Sequence, residues 1–283
     1  MESLQNTKQR IKLVSSIKKI THAMEMISIA KIRRTKNIFN NISPYSEEMN
    51  LTFNKIISKL DRIDFENIFS ANNATANLYI IITSDLGMAG SYNSNIFKLS
   101  RSLLEENDKI IVLGHKGNSF FNDKKWDSQI IDSYPFPNED IDYHIIKKIT
   151  KEILDMYKNN EIGKIKILYT DFVNNLVQKE VEKTIFPIEY TPDKSEKNFE
   201  FIEIEPSPYE VLKNAFPLYV SNYIYTCCIV SKLSENAARR MAMENATNNA
   251  KDIILQLKKD FNRKRQAIIT QELNEIIAGA DAI

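Results

Sequence analysis

The 283-residue chain carries 38 Lys and Arg against 37 Asp and Glu, with only six Gly, eight Pro and two Cys. Near-neutral charge excludes a globally polyanion-binding protein, and the adjacent Cys227 and Cys228 exclude a disulfide framework, which fits a reducing cytoplasm. The length allows one large domain or two modest ones with a sizeable core, and the composition favours helix over loop-rich β structure. The opening MESLQNTKQRIK lacks an apolar core, so no signal peptide is expected, and no stretch approaches the ~20 apolar residues of a membrane span.

Residues 4–57 contain no Gly, and Ile11, Val14, Ile17, Ile20, Met24 and Ile27 recur every three or four positions at core spacing. That period predicts a helix, with a kink near Ser43 where Pro44 removes a backbone donor. At ~1.5 Å per residue such a helix approaches ~80 Å and must pack along another long helix. Residues 61–74 read as a linker.

The middle has another texture. Strands are predicted at Leu78–Thr83, Lys109–Gly114, around Ser128–Ile131 and at Lys164–Thr170, with an exposed edge strand over Val177–Ile188. Between them lie a Gly87/Gly90 turn, a helix to about Glu106, a short helix over His115–Asn122, and a helix capped by Asn138 that runs to about Asn160. Strands alternating with helices indicate a parallel α/β sheet. A polar linker over 190–206 follows.

Ser207-Pro208-Tyr209-Glu210 has the chemistry of a capped helix start, with Pro217 expected to break or kink the first piece. Beyond it Val220, Tyr223, Cys227, Val230, Ser234, Ala237 and Met241 alternate steps of three and four, a heptad seam whose small residues let two axes approach. The pattern continues more loosely through Ile254, Leu257, Phe261, Ile268 and Ile276, with no Gly before Gly279. The two ends therefore read as an extended antiparallel coiled coil.

Candidate chemistry is thin. A strand, then Gly87-x-x-Gly90, then a helix invites a nucleotide-binding reading, but the phosphate-loop and dinucleotide patterns are incomplete, and a structural turn explains the glycines better. His22, His115 and His144 have no ligand spacing, and no nucleophile motif frames the serines. No catalytic, cofactor or metal residue is assigned. Residues 1–40 carry nine basic residues against Glu2 and Glu25. With no aromatic before Phe39, that basic stretch suits a solvated face or an acidic protein surface better than a nucleic-acid arm.

Three blocks resemble a known family. The first is Ser3-Leu4, Arg10-Ile11-Lys12, Lys19-Ile20-Thr21, Ala23-Met24-Glu25-Met26, Ala30-Lys31 and Arg33-Arg34. The second is Ile82-Thr-Ser-Asp85-Leu-Gly87-Met-Ala-Gly90-Ser-Tyr-Asn93-Ser-Asn95. The third is Ser234-Glu-Asn-Ala-Ala-Arg239, Ala242-Met-Glu-Asn-Ala-Thr247 and Phe261 through Gly279. In order and over essentially the whole chain they resemble the gamma subunit of rotary F-type ATP synthases.

That resemblance implies an α+α/β fold: an antiparallel coiled coil of shaft helices, 1–60 and 207–283, with a central Rossmann-like α/β domain over 74–190. It implies a non-catalytic rotor without cofactors, turning in a ring of three alpha and three beta subunits and coupling rotation to ATP synthesis or hydrolysis at beta. By motif position Met24, Arg239, Arg265, Gln266, Thr270 and Glu272 match the family's beta-subunit contacts. Ile276, Ile277 and Ile283 match the bearing tip, and the basic helix would face an acidic lever loop of beta. The α/β domain would meet an epsilon subunit and the membrane c-ring, with no nucleic acid and no membrane insertion, peripheral on the cytoplasmic face of the cell membrane. Leu86, Ala89 and Ser91 stand where the family has Arg, Cys and Gly; Asn236 replaces a His and Arg240 an apolar Met. These departures raise an alternative, a gamma-like shaft of a specialised ATP-hydrolysing motor that does not make ATP.

Overall fold

The computed structural model describes residues 4–69, 72, 74–122, 126, 129–135, 141–188 and 204–280, with side chains as far as 277. In chain order these form α1 (Leu4–Ser58), α2 (Arg62–Ile68), β1 (Asn77–Ile82), α3 (Tyr92–Leu103), β2 (Lys109–Leu113), α4 (His115–Phe121), β3 (Ile130–Tyr134), α5 (Tyr143–Lys158), β4 (Lys164–Phe172), β5 (Gln178–Phe186) and α6 (Pro208–Ala280). Two compact units result: residues 30–238, and residues 1–29 together with 239–283.

Both prolines lie inside helices without ending them. Pro44 and Pro217 are exposed, so each ring turns to water and the carbonyl that loses its partner stays hydrated. The expected separate first piece before Pro217 is therefore absent, and α6 runs unbroken. Its start matches the capping chemistry: the Ser207 Oγ accepts the Glu210 backbone N–H at 3.2 Å. The expected linker over 61–74 contains α2, whose cap Asp61 accepts the Asp64 N–H at 2.7 Å. The cap of α5 is Asp142, through the His144 N–H at 2.8 Å. The Asn138 cap, the start of the expected third strand and most of the 190–206 linker lie outside the described residues.

In the unit of residues 30–238 the sheet order is β3-β2-β1-β4-β5, parallel except for β5, which pairs antiparallel with β4 along one edge. The strand period of two sorts its side chains into two cores. Leu78, Ile80 and Ile82 of β1 join Ile146, Ile149 and Ile153 of α5 and Leu212, Phe216, Val220 and Ile224 of α6. Tyr79 and Ile81 face the other way, with Ile96 of α3 and Phe121 of α4. A sheet covered on both faces has to be apolar throughout, which is why these strands read as unbroken hydrophobic runs. The foot of α1 is locked by aromatic packing: Phe53 stacks on Tyr219 with centroids 4.1 Å apart and meets Phe69 edge-on at 6.2 Å. Higher on the same pair, Ser46 is bonded to Thr226 at 2.9 Å and accepts from the Asn222 amide at 3.1 Å.

Cys227 and Cys228 are buried in this unit. Burial pushes the Cys227 thiol up to about 12 and the Cys228 thiol well above the ordinary range. Both should be silent toward a thiol-exchange reagent in the native chain near neutral pH and react once urea unfolds it; rapid native-state labelling would contradict the burial. The folded thiols keep their protons where unfolded ones ionise. Their contribution to stability is therefore complete below the ordinary thiol value of 9.0 and lost as pH rises from there toward about 12.

Candidate subunit-contact surface

The turn after β1 was the one place a nucleotide could be suspected, and three of the oxygens around it are already taken up by the start of α4, the helix that follows β2. Asp85 Oδ1 accepts the His115 N–H at 2.9 Å, the Ser84 carbonyl accepts that of Lys116 at 2.9 Å, and Thr83 Oγ1 accepts that of Gly117 at 2.9 Å. The first-turn amides of α4 thus point at the chain's own oxygens, where a phosphate would otherwise bind. Asn93 Oδ1 closes the loop on the Ser84 N–H at 3.1 Å. Gly114, at φ +107°, is required because a Cβ there would strike the Thr83 carbonyl. His22 pairs locally with Glu25, and no cluster of three metal-ligating side chains occurs among the described residues.

The residues assigned by motif all fall in the other unit. There α1 and α6 run antiparallel, as two bonds show: Thr247 donates to Thr21 at 2.8 Å, and Lys264 Nζ donates to the Thr7 hydroxyl at 3.2 Å. Along α6 the inward row is Met243, Thr247, Ala250, Ile254, Leu257, Phe261 and Lys264, strict steps of four and three. Along α1 it is not the isoleucine row. Thr7, Thr21 and Ser28 are the buried residues, at multiples of seven, and Thr35 continues the series beyond this unit. Ile17, Ile20 and Ile27 are 53 %, 59 % and 54 % exposed, as are Leu13 and Met26 to similar degrees. The expected row divides: Ile11, Val14 and Met24 are half-buried, and Ile17, Ile20 and Ile27 lie on the outer face. Hydroxyls are short enough to let two helices approach closely, and each finds a partner: Ser28 donates to the Met24 carbonyl at 2.8 Å, and Thr21 to that of Lys18 at 3.1 Å. The seven-residue spacing of Thr7, Thr21, Ser28 and Thr35 was the signal that would have found this seam.

Of the motif residues, Arg265, Gln266, Thr270 and Glu272 are exposed on α6, and Met24 is half-buried on α1. Arg239 differs, at 7 % exposure. Ile276 and Ile277 are 68 % and 57 % exposed, against the expectation that Ile276 continues the seam, and Ile283 lies outside the described residues. Ile268, Ile269 and Leu273 add to this exposed apolar end. The last three turns of described side chains on α6 are therefore open on every face, an arrangement a helix sustains in water only at a cost in apolar hydration.

A family profile described as ATP synthase matches residues 3–283. The ATP synthase gamma chain of Mycoplasmopsis synoviae is 41 % identical over 287 residues, covering 100 % of this chain and 99 % of the relative. That of Mycoplasmopsis pulmonis is 41 % identical, covering 99 % of each. The chain belongs to the ATP synthase gamma chain family. Among solved structures, the rotor of the Euglena gracilis mitochondrial ATP synthase superposes with a TM-score of 0.67 at 16 % identity, over 94 % of this chain and 98 % of that one, a likeness of fold. As a member of the family the chain is a non-catalytic subunit of a rotary ATPase complex. Relatives named as synthase subunits do not favour the alternative of a dedicated hydrolytic motor.

Two of the departures from the family pattern, Arg240 and Asn236, have local partners. Arg240 pairs with Glu244 at 3.1 Å, and buried Asn236 donates to the Lys232 carbonyl at 3.0 Å. Ala89 is buried where its small side chain fits, and Leu86 is 62 % exposed.

Because Thr247 donates to Thr21 and Thr21 donates onward to Lys18, the two threonines are not equivalent. Thr21→Val should cost about 1–2 kcal/mol by stranding a buried donor, Thr247→Val less, and the double variant less than the sum. A double-mutant cycle read by hydrogen exchange over residues 4–29 tests this; additive single effects would mean the bond contributes nothing.

Proposed function

We propose that residues 1–60 and 207–283 form the shaft that turns inside a ring of three alpha and three beta subunits, with the α/β portion, 74–190, carrying the contacts to epsilon and the c-ring. The observation that carries this reading is the outer face of α1, which turns Thr7, Thr21 and Ser28 inward and leaves Leu13, Ile17, Ile20, Met26 and Ile27 outside. Such a surface calls for a sleeve. A close-fitting ring recovers about 1 kcal/mol for each half-exposed Leu or Ile it covers. It does so without directional bonds, so the gain changes little as the shaft turns.

Within that frame, Arg265, Gln266, Thr270 and Glu272 are the beta-subunit contacts, free of heavy packing and spaced along exposed turns of α6. Met24 joins them from α1, and Arg239 enters through motif position, its low exposure leaving only a small patch for a partner. Ile276 and Ile277, with Ile283 beyond them, form the apolar tip in the bearing. The basic residues of the N-terminal segment face an acidic lever loop of beta, where charge attraction draws the loop in and an asymmetric shaft biases which beta site is open. No described helix is long and apolar enough to cross a membrane. That supports a peripheral place, on the cytoplasmic face of the cell membrane, coupling rotation to ATP synthesis or hydrolysis.

Arg265→Ala combined with Gln266→Ala removes two exposed side chains and should leave folding and assembly intact while weakening coupling. Single-molecule rotation of the reconstituted complex should show torque reduced several-fold; wild-type torque and ATPase activity would sink the assignment.

A further inference from the structure

In the unit of residues 30–238, α5 and the first turns of α6 flank a groove to which the rotor reading gives no particular occupant. Ser221 Oγ donates to Thr150 Oγ1 at 3.0 Å and pins the two helices together. Around that point two neighbouring hollows of about 380 and 470 Å³, both lined by Leu154, Lys158 and Pro217, lie along an open channel. One end is walled by Tyr157, Phe186 and Phe216, whose rings pack against one another, with Tyr157 edge-on to Phe186 at 4.4 Å. The other end opens beside Leu218, 45 % exposed.

Four exposed lysines stand along this channel: Lys147, Lys151 and Lys158 on α5, and Lys213 on α6. The helical period puts the α5 three on one face, with rises of roughly 6 and 10 Å between them. None is in an ion pair among the described residues; Lys147 and Lys213 lie only over the rings of Tyr143 and Tyr209, at 5.1 and 5.7 Å. Asp155 is the one carboxylate among the lining residues. Like charges at Lys147 and Lys151, four residues apart, weaken an isolated helix, while Asp155, four residues after Lys151 and three before Lys158, offsets part of that repulsion. Other lysines of the same unit do meet carboxylates: Lys166 meets Glu182 at 2.8 Å and Lys109 meets Glu161 at 3.1 Å.

We propose that this channel is a second docking surface, and that its occupant is an acidic polypeptide segment of another subunit of the complex carrying an aromatic or aliphatic anchor. The anchor enters the ring-walled end, and carboxylates on either side of it meet the lysine row. The row spans about 16 Å, the length of roughly five extended residues; carboxylates two residues apart match the rise from Lys147 to Lys151, and a gap of three residues matches that from Lys151 to Lys158. A recessed apolar end flanked by cations suits a side chain projecting from a peptide better than flat lipid headgroups. It also suits a peptide better than a nucleic acid, whose bases need open rings to stack on. The proposal rests on the chain being assembled in its rotary complex.

The test is lysine acetylation of the full chain, free and in the detergent-solubilised complex, with peptide-level quantification. Lys147, Lys151, Lys158 and Lys213 should be protected several-fold in the complex, and a zero-length carbodiimide should join them to Asp or Glu of another subunit. Lys258 and Lys259 of α6 serve as the internal reference for the shaft. If those are protected while the four groove lysines acetylate as in the free chain, the groove proposal fails and the shaft reading stands; if neither set is protected, both fail. Protection that appears only with anionic vesicles overturns the proposal in favour of a lipid surface. A Lys151→Glu, Lys158→Glu variant should lose the carbodiimide adducts while keeping the protection at Lys258 and Lys259; retained adducts would also overturn it.

Discussion

A helix pair that buries threonine and serine while leaving isoleucine and leucine in water reverses the usual allocation of apolar surface, and the chain's working properties follow from that reversal. Inside, Thr7, Thr21 and Ser28 are small enough for close approach and are bonded to fixed partners. Hydrogen bonds are directional, so they set the register of one helix against the other. Outside, the apolar residues offer contact that depends on area rather than orientation. Directional bonds hold the shaft to itself, and non-directional contact lets it turn against something else. The opposite arrangement, an apolar seam and a hydrogen-bonding exterior, would break and remake polar contacts at every angle.

The α/β portion obeys the ordinary rules because its task is ordinary: it must fold around its own core. Leu78, Ile80 and Ile82 go to one face and Tyr79 and Ile81 to the other, each to its own layer of helices. The first turns of α6 belong to that core through Leu212, Phe216, Val220 and Ile224, and α1 joins it through Phe53 and Ile57. Both long helices are thus anchored by large apolar side chains where they share the sheet's core. In the other unit the buried positions of α1 are Thr7, Thr21 and Ser28, and no large aromatic ring is buried with them among the described residues.

This division explains which features were legible in the amino-acid sequence. Strands buried on both faces announce themselves as apolar runs, and Leu78–Thr83 and Lys109–Gly114 fall within a residue of β1 and β2. The Ser207 cap was equally plain, since only a few side chains can accept the first amides of a helix. The seven-residue α2 was hidden, being too short for periodicity to register. Pro217 misled in part: a helix can run on through a proline whose neighbouring backbone is open to water, and Pro217 is exposed inside α6.

The isoleucine row of α1 misled for a deeper reason. A period of three and four reports that a helix has an apolar stripe, but not whether the stripe meets the same chain or another one. In a protein that folds alone the two questions have the same answer, because an apolar stripe left in water would be selected against or aggregate. In a subunit built to sit within a ring they separate. Ile17, Ile20 and Ile27 were assigned to the seam with α6 and lie on the exposed side of α1 instead. What resolves such cases is the other stripe: where a second heptad, here Thr7, Thr21, Ser28 and Thr35, runs in parallel with the apolar one, the helix has two partners. The small polar stripe then belongs to the close neighbour within the chain, since only small side chains allow that approach. The large apolar stripe is left for the looser fit outside.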